Sequence, residues 1–169
     1  MKNLLLASSV LFLALGACAQ QQRPSPNATA EGTNVKVKYC QPSKKGRVIF
    51  GDASAGALQP YGKIWRVGAN EATEITFAKD GKFGDQPVKA GTYTLWAIPG
   101  EKEWSIILNS DTGFWGTQHE QHKSKDFLTY KVAPKKLPEV VEKMVIRFDK
   151  NHMYIEWDQT QIVVPVAFS

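Results

Sequence analysis

Tyr61-Gly62-Lys63-Ile64-Trp65-Arg66-Val67-Gly68-Ala69-Asn70-Glu71-Ala72-Thr73-Glu74-Ile75-Thr76-Phe77 holds two alternating segments around a short polar centre. The first ends in Trp65, Arg66 and Val67; the second places Thr73, Ile75 and Phe77 on one face. Between them stand Gly68 and Asn70, which tolerate the backbone angles a tight turn needs. The pattern predicts two strands meeting at that turn, with Arg66, Asn70 and Glu71 drawn together at its end. It is the densest group of convergent polar chemistry in the chain.

Outward from this stretch, short alternations recur with turn residues between them. Upstream, Val35, Val37 and Tyr39 alternate with Lys36, Lys38 and Cys40, and Arg47 to Phe50 follows a Lys45-Gly46 turn. Downstream, Asp80-Gly81 offers a hairpin turn, and Thr92 to Ile98 is apolar on both faces, as a central strand is. Trp104 to Leu108, Phe127 to Val132, Val140 to Phe148, Met153 to Trp157 and Ile162 to Phe168 continue the series. No long segment keeps a helical period. The reading is all-β, an antiparallel β-sandwich or partly open barrel. Asn109 to Asp126 is the longest irregular stretch and carries Phe114, Trp115, His119 and His122. Loops of that length inside a compact domain are commonly functional.

The first residues read as an address. Lys2 precedes the apolar run Leu4 to Leu15, too short to span a bilayer as a helix, which takes about 20 residues. Residues 1–17 are expected to be a signal peptide. Its end, Leu15-Gly16-Ala17-Cys18, resembles the bacterial lipobox, which implies cleavage before Cys18 and acylation of that residue. Two or more acyl chains give stable attachment, so the membrane is the expected partner, through Cys18. Residues 18–34 are rich in Gln, Pro, Ser, Asn and Thr and read as a flexible tether. Ala19 after the cysteine resembles outer-membrane sorting, and the expected location is the periplasmic face of that membrane.

Residues 35–169 then suit one domain. The net charge of +5 comes from dispersed lysines and arginines, and nucleic acid is not an expected partner. With Cys18 acylated, Cys40 has no intramolecular disulfide partner and reads as a small buried side chain.

Several motifs carry a family resemblance. They are Tyr39-Cys40-Gln41-Pro42-Ser43-Lys44-Lys45-Gly46-Arg47, Ile49-Phe50-Gly51, Tyr61 to Arg66, Gly68 to Thr73, Ala90-Gly91-Thr92-Tyr93, Ile98-Pro99-Gly100, Trp115-Gly116 and Glu156-Trp157. Together they resemble the domain of unknown function 2911 family over nearly all of Tyr39 to Phe168. The resemblance implies a secreted or lipid-anchored bacterial β-domain and brings no catalytic residues. It also implies Ser at the place of Cys40, and does not include the loop histidines.

Candidate ligand-binding residues are Arg66, Asn70 and Glu71, with Lys44 and Arg47 converging from the preceding segment and Trp115 as an exposed aromatic contact. The other four tryptophans alternate with aliphatic residues and read as core. His119-Glu120-Gln121-His122 lacks the four-residue spacing of helical zinc motifs, so no metal site is expected, and no cofactor. There is no nucleophile elbow, phosphate-cradling loop or Cys-x-x-Cys. The first reading is therefore a non-catalytic binding module for a small polar ligand, a glycan or an envelope protein. The alternative is a hydrolase or lyase using Arg66, Glu71 and the loop histidines.

Overall fold

The computed structural model describes residues 25–168. The signal peptide and Cys18 lie outside the described residues. In chain order the strands begin β1 (Asn27–Gly32), β2 (Val35–Cys40), β3 (Phe50–Gly51), β4 (Gln59–Pro60), β5 (Thr73–Phe77) and β6 (Gly81–Phe83). They continue as β7 (Gln86–Val88), β8 (Gly91–Ile98), β9 (Trp104–Asn109), β10 (Asp126–Val132), β11 (Lys135–Asp149) and β12 (His152–Phe168). One short helix, α1 (His119–His122), interrupts the series.

A six-stranded antiparallel sheet runs β1-β2-β5-β8-β9-β10, and a four-stranded sheet runs β11-β12-β6-β7. The described strands close no barrel. Alternation in the large sheet turns Val37, Ile75, Leu95 and Ile106 inward, where they meet Met144, Ile155, Trp157 and Val164 of the small sheet in one core. Phe50 sits among Trp65, Trp104 and Trp157, with ring centroids 4.7–6.1 Å apart. Trp65, Trp96, Trp104 and Trp157 are buried, as their alternation implied.

Three expectations need correction. Residues 27–32 belong to the domain and not to a tether. They pair along all of β2, from Asn27 opposite Cys40 to Gly32 opposite Val35. Ala30 is buried, and an added Cβ on Gly32 would stand 2.7 Å from Phe148 Cγ, so β11 also packs on this edge. Asp80-Gly81, read as a hairpin turn, instead carries the chain from one sheet to the other, because β5 and β6 lie in different sheets.

The Tyr61 to Phe77 stretch does not form two strands of a hairpin. Trp65 bridges Ala97, with both N–H···O bonds at 2.7–2.8 Å, while Thr73 pairs with Leu95 on the same strand β8. Residues 66–72 therefore leave the ladder as a loop. Thr73 Oγ1 closes it by donating to Val67 O at 2.9 Å, and Trp65 Nε1 donates to Gly68 O at 3.2 Å. Val67 and Asn70 take φ of +49° and +58°. Asn suits that region; a buried valine there holds strain of about 1–3 kcal/mol.

Candidate functional site

The outer face of the large sheet follows from the same alternation that builds the core. With Val35, Val37 and Tyr39 inward, Lys36, Lys38 and Cys40 point outward, as do Glu74 and Thr76 of β5. Yet Cys40 is only 5% exposed. The 66–72 loop lies over it: Ala69 N donates to Cys40 O at 3.1 Å, and a Cβ on Gly68 would stand 3.1 Å from the same oxygen. Cys40 Sγ lies 3.2 Å from Asn27 Oδ1 and 3.3 Å from Glu71 Oε2. A thiol proton can serve one of these acceptors at a time.

Beside this group opens a cleft of about 410 Å³. Strands β1, β2 and β5 form its floor, with Asn27, Lys38, Cys40 and Glu74 among the lining residues; Glu71 and Phe114 stand on its wall. Lys38 and Glu74 are cross-strand partners in the β2–β5 register, so opposite charges stand side by side on the floor. The volume lies within the usual range for small-molecule sites, roughly 300–1,000 Å³.

The wall is the long irregular stretch, folded back onto the sheet. Glu71 bridges Trp115, Ala72 N donates to Phe114 O at 3.2 Å, and Gly116 N donates to Asn70 O at 3.1 Å. The Phe114 ring lies nearly parallel to Trp96, centroids 5.9 Å apart, and to His122 at 3.8 Å. Trp96, Ile107 and Ala72 make a small second core beneath it.

Polar pairs fasten this loop. His119 Nε2 lies 3.1 Å from both oxygens of Asp126, and His122 Nδ1 lies 2.9 Å from Asp111 Oδ2. Asn109 joins the two pairs: its Nδ2 donates to Asp126 Oδ1 and His122 O, and its Oδ1 accepts from Asp111 N. Thr94 Oγ1 donates to Asp111 O and accepts from Trp96 Nε1. The histidines are framework, each set on its own carboxylate, and no group of three metal-ligand side chains gathers among the described residues.

The candidate residues separate. Arg66 forms no ion pair with Glu71; its Nη1 donates to Asn70 O at 2.7 Å, and its stem runs under Gly116, where a Cβ would stand 2.2 Å from Cδ. Burial lowers the Arg66 pKa, and the neighbouring Cys40 acts in the opposite direction. Asn70 is buried and donates through Nδ2 to Ser25 O at 3.2 Å. Lys44 and Arg47 do not converge on this group. Lys44 Nζ binds Asp158 Oδ2 at 2.6 Å, and the Arg47 guanidinium donates to Lys44 O and Ser43 O. Trp115 is 45% exposed, as its loop position suggested. Of the candidates, Glu71 alone lines the cleft.

Asn27, Lys38, Cys40, Glu74 and Phe114 were not among the candidates. Lys38 and Glu74 read as an ordinary wet face, and only the β2–β5 pairing makes them neighbours. Asn27 was assigned to the tether. The outward parity of Cys40 was the available signal that it is no ordinary core residue.

Two antiparallel sheets around one core, with a charged cleft on the outer face of the larger, define a two-sheet β-domain. The chain belongs to the family described as Protein of unknown function (DUF2911), whose model matches residues 22–166. That match, like β1, begins before Val35. No curated protein and no solved structure matches the chain.

Proposed function

We propose that this domain is a binding module that takes a small polar ligand in the Cys40–Glu71 cleft, tethered through acylated Cys18 to the periplasmic face of the outer membrane. The cleft itself carries the reading. Lys38 and Glu74 stand side by side on its floor, Glu71 adds a carboxylate, and Asn27 adds an amide. These groups suit a ligand that both donates and accepts hydrogen bonds, such as a small zwitterion. The wall is held in place by Phe114, which stacks with both Trp96 and His122, so a ligand meets a surface formed in advance. The hydrolase or lyase alternative finds less support: Arg66 is committed to a backbone carbonyl, and each histidine to its own aspartate.

The test combines location and capture. Cys18→Ser should move the protein from the membrane to the soluble periplasmic fraction; a correctly processed variant that stays on membranes would refute the tether. Native mass spectrometry of the full chain from envelope extract should show a bound small molecule. Lys38→Met and Glu74→Gln should each lose it while melting unchanged. Capture indifferent to both substitutions would remove the cleft as the site.

A further inference from the structure

We infer that the domain holds a second ligand site, one for an acidic saccharide, in the cavity where the chain crosses from β10 to β11. This cavity measures about 340 Å³ and shares no lining residue with the Cys40–Glu71 cleft. Phe50 and Tyr61, both partly exposed, supply aromatic surface backed by the buried Trp104, and the Tyr61 hydroxyl, Glu101, Gln159 and Thr160 supply polar groups. Lys135 and Lys136 complete the rim.

Its construction sets it apart from an ordinary lysine-bearing surface. Phe50 and Trp104 meet edge to face at 4.7 Å within the aromatic cluster, which makes that side of the cavity rigid. Tyr61 is placed by its own N–H on Gly51 O at 2.9 Å, and next to it Gly62 N donates to Pro99 O at 2.8 Å. On the other side the β11–β12 ladder opens. Lys135 and Lys136 pair with Gln161 and Thr160, but the next partners are Val141 and Asp158. Residues 137–140 thus stand opposite Gln159 alone. Asp158, at φ +54°, turns the strand at that break. The bulge spreads the hairpin beside the cavity, as bulges do near binding sites.

The chemistry selects the ligand class. Sugar recognition needs an apolar ring surface together with donors and acceptors in the plane of the hydroxyls. Here the partly exposed rings of Phe50 and Tyr61 provide the first, and the Glu101 carboxylate, Gln159 amide, Tyr61 and Thr160 hydroxyls provide the second. Lys135 and Lys136 are exposed and form no ion pair among the described residues, whereas neighbouring Lys131 is paired with Glu103 at 2.9 Å. Two uncommitted cations beside one carboxylate favour a ligand with a single negative charge and several hydroxyls. A bare phosphate would gain nothing from the rings and would be repelled by Glu101.

The probe is 3′-sialyllactose, a trisaccharide with one carboxylate, titrated into the full chain and followed by saturation-transfer NMR, with maltotriose and inorganic phosphate as comparators. The acidic trisaccharide should bind, and the Lys135→Ala/Lys136→Ala double variant should bind it about tenfold or more weakly. Both lysines are exposed, so that variant should melt as the parent does. Thr160→Trp, which would fill the cavity, should also abolish binding. Lys38→Met and Glu74→Gln should leave it unchanged, which separates this site from the first cleft. Failure of the trisaccharide to bind, equal binding of maltotriose, equal binding of phosphate, or indifference to the lysine pair would each overturn the proposal.

Discussion

Replacing Arg66 and Glu71, singly and together, tests how the polar loop over Cys40 is held. Arg66→Ala removes a charge-assisted hydrogen bond to Asn70 O, of a kind worth about 1.5–3 kcal/mol. The carbonyl is not orphaned, because Gly116 N still reaches it at 3.1 Å. Removing a cation whose burial lowers its pKa returns part of the loss. The net cost should be about 1–2 kcal/mol, or a few degrees in Tm for a domain of this size. Glu71→Ala removes a carboxylate that accepts from the Cys40 thiol, and should cost about 1 kcal/mol. Since no ion pair joins the two side chains, their effects should add within about 0.5 kcal/mol. Urea melts of parent, single and double variants measure the cycle, provided slopes are equal. A coupling above roughly 1.5 kcal/mol would show that the two charges are paired after all. The loop would then be held by a buried ion pair, whose breakage costs about 3–5 kcal/mol.

Three further outcomes are expected. His119→Ala, which removes a buried ring lying 4.6 Å from Trp96 and bonded to Asp126, should destabilise by about 2–4 kcal/mol in denaturant melts, and an effect below 1 kcal/mol would contradict its framework role. Gly84→Ala should cost about 2 kcal/mol or more, because φ is +65° and the new Cβ would stand 2.2 Å from Tyr130; an unchanged Tm would refute this. Burial works to raise the Glu156 pKa, but hydrogen bonds from Arg147 and Gln161 and the Arg147 charge outweigh it and leave the carboxyl below its ordinary value. The stability this adds is present above the unfolded carboxyl's pKa of about 4.3 and is lost as pH falls through the lower folded value. Arg147→Met should therefore cost about 0–1 kcal/mol more at neutral pH than at low pH, where its stacking over the Tyr154 ring is what remains; an equal loss at both would deny the linkage.

Alternation made β2, β5 and the end of β12 legible in the sequence, because each buries one face and period-2 patterning records that burial directly, while short apolar runs marked β8 and β9, which are buried on both faces. The features it missed depend on contacts between distant segments. Asn27-Ala28-Thr29-Ala30-Glu31-Gly32 has no large apolar residue, since an edge strand can be ordered by a ladder to its neighbour and a single buried alanine. Trp65 and Thr73 looked like opposite sides of a hairpin, but both are claimed by β8, and nothing local announces a shared partner. Arg66 and Glu71 were expected to pair because they flank a turn; the loop's own carbonyl at Asn70 captured the guanidinium first. Trp115, in contrast, was legible because a tryptophan among glycines has no periodic partner to pack against.

The loop wall also bears on what kind of site the first cleft can be. A catalytic loop commonly must open and close, and such segments are drawn from the less stable parts of a fold. Residues 109–126 are built the other way. Asn109 is fully buried and bonds to Asp111, His122 and Asp126 at once, so both ends of the loop meet at one side chain. Phe114 stacks with Trp96 and His122, and Gly116 N donates to Asn70 O. Moving the wall would mean breaking these contacts together. A fixed wall lowers the ordering cost of capturing a ligand and gives little help to a reaction that needs enclosure. Asn109→Ala should therefore act on affinity through the wall. It should weaken ligand capture in the cleft and raise protease sensitivity within 110–118, even though Asn109 does not line the cleft. Capture unchanged in a variant whose loop is readily cleaved would show that the wall contributes nothing, and would confine the site to the three strands beneath it.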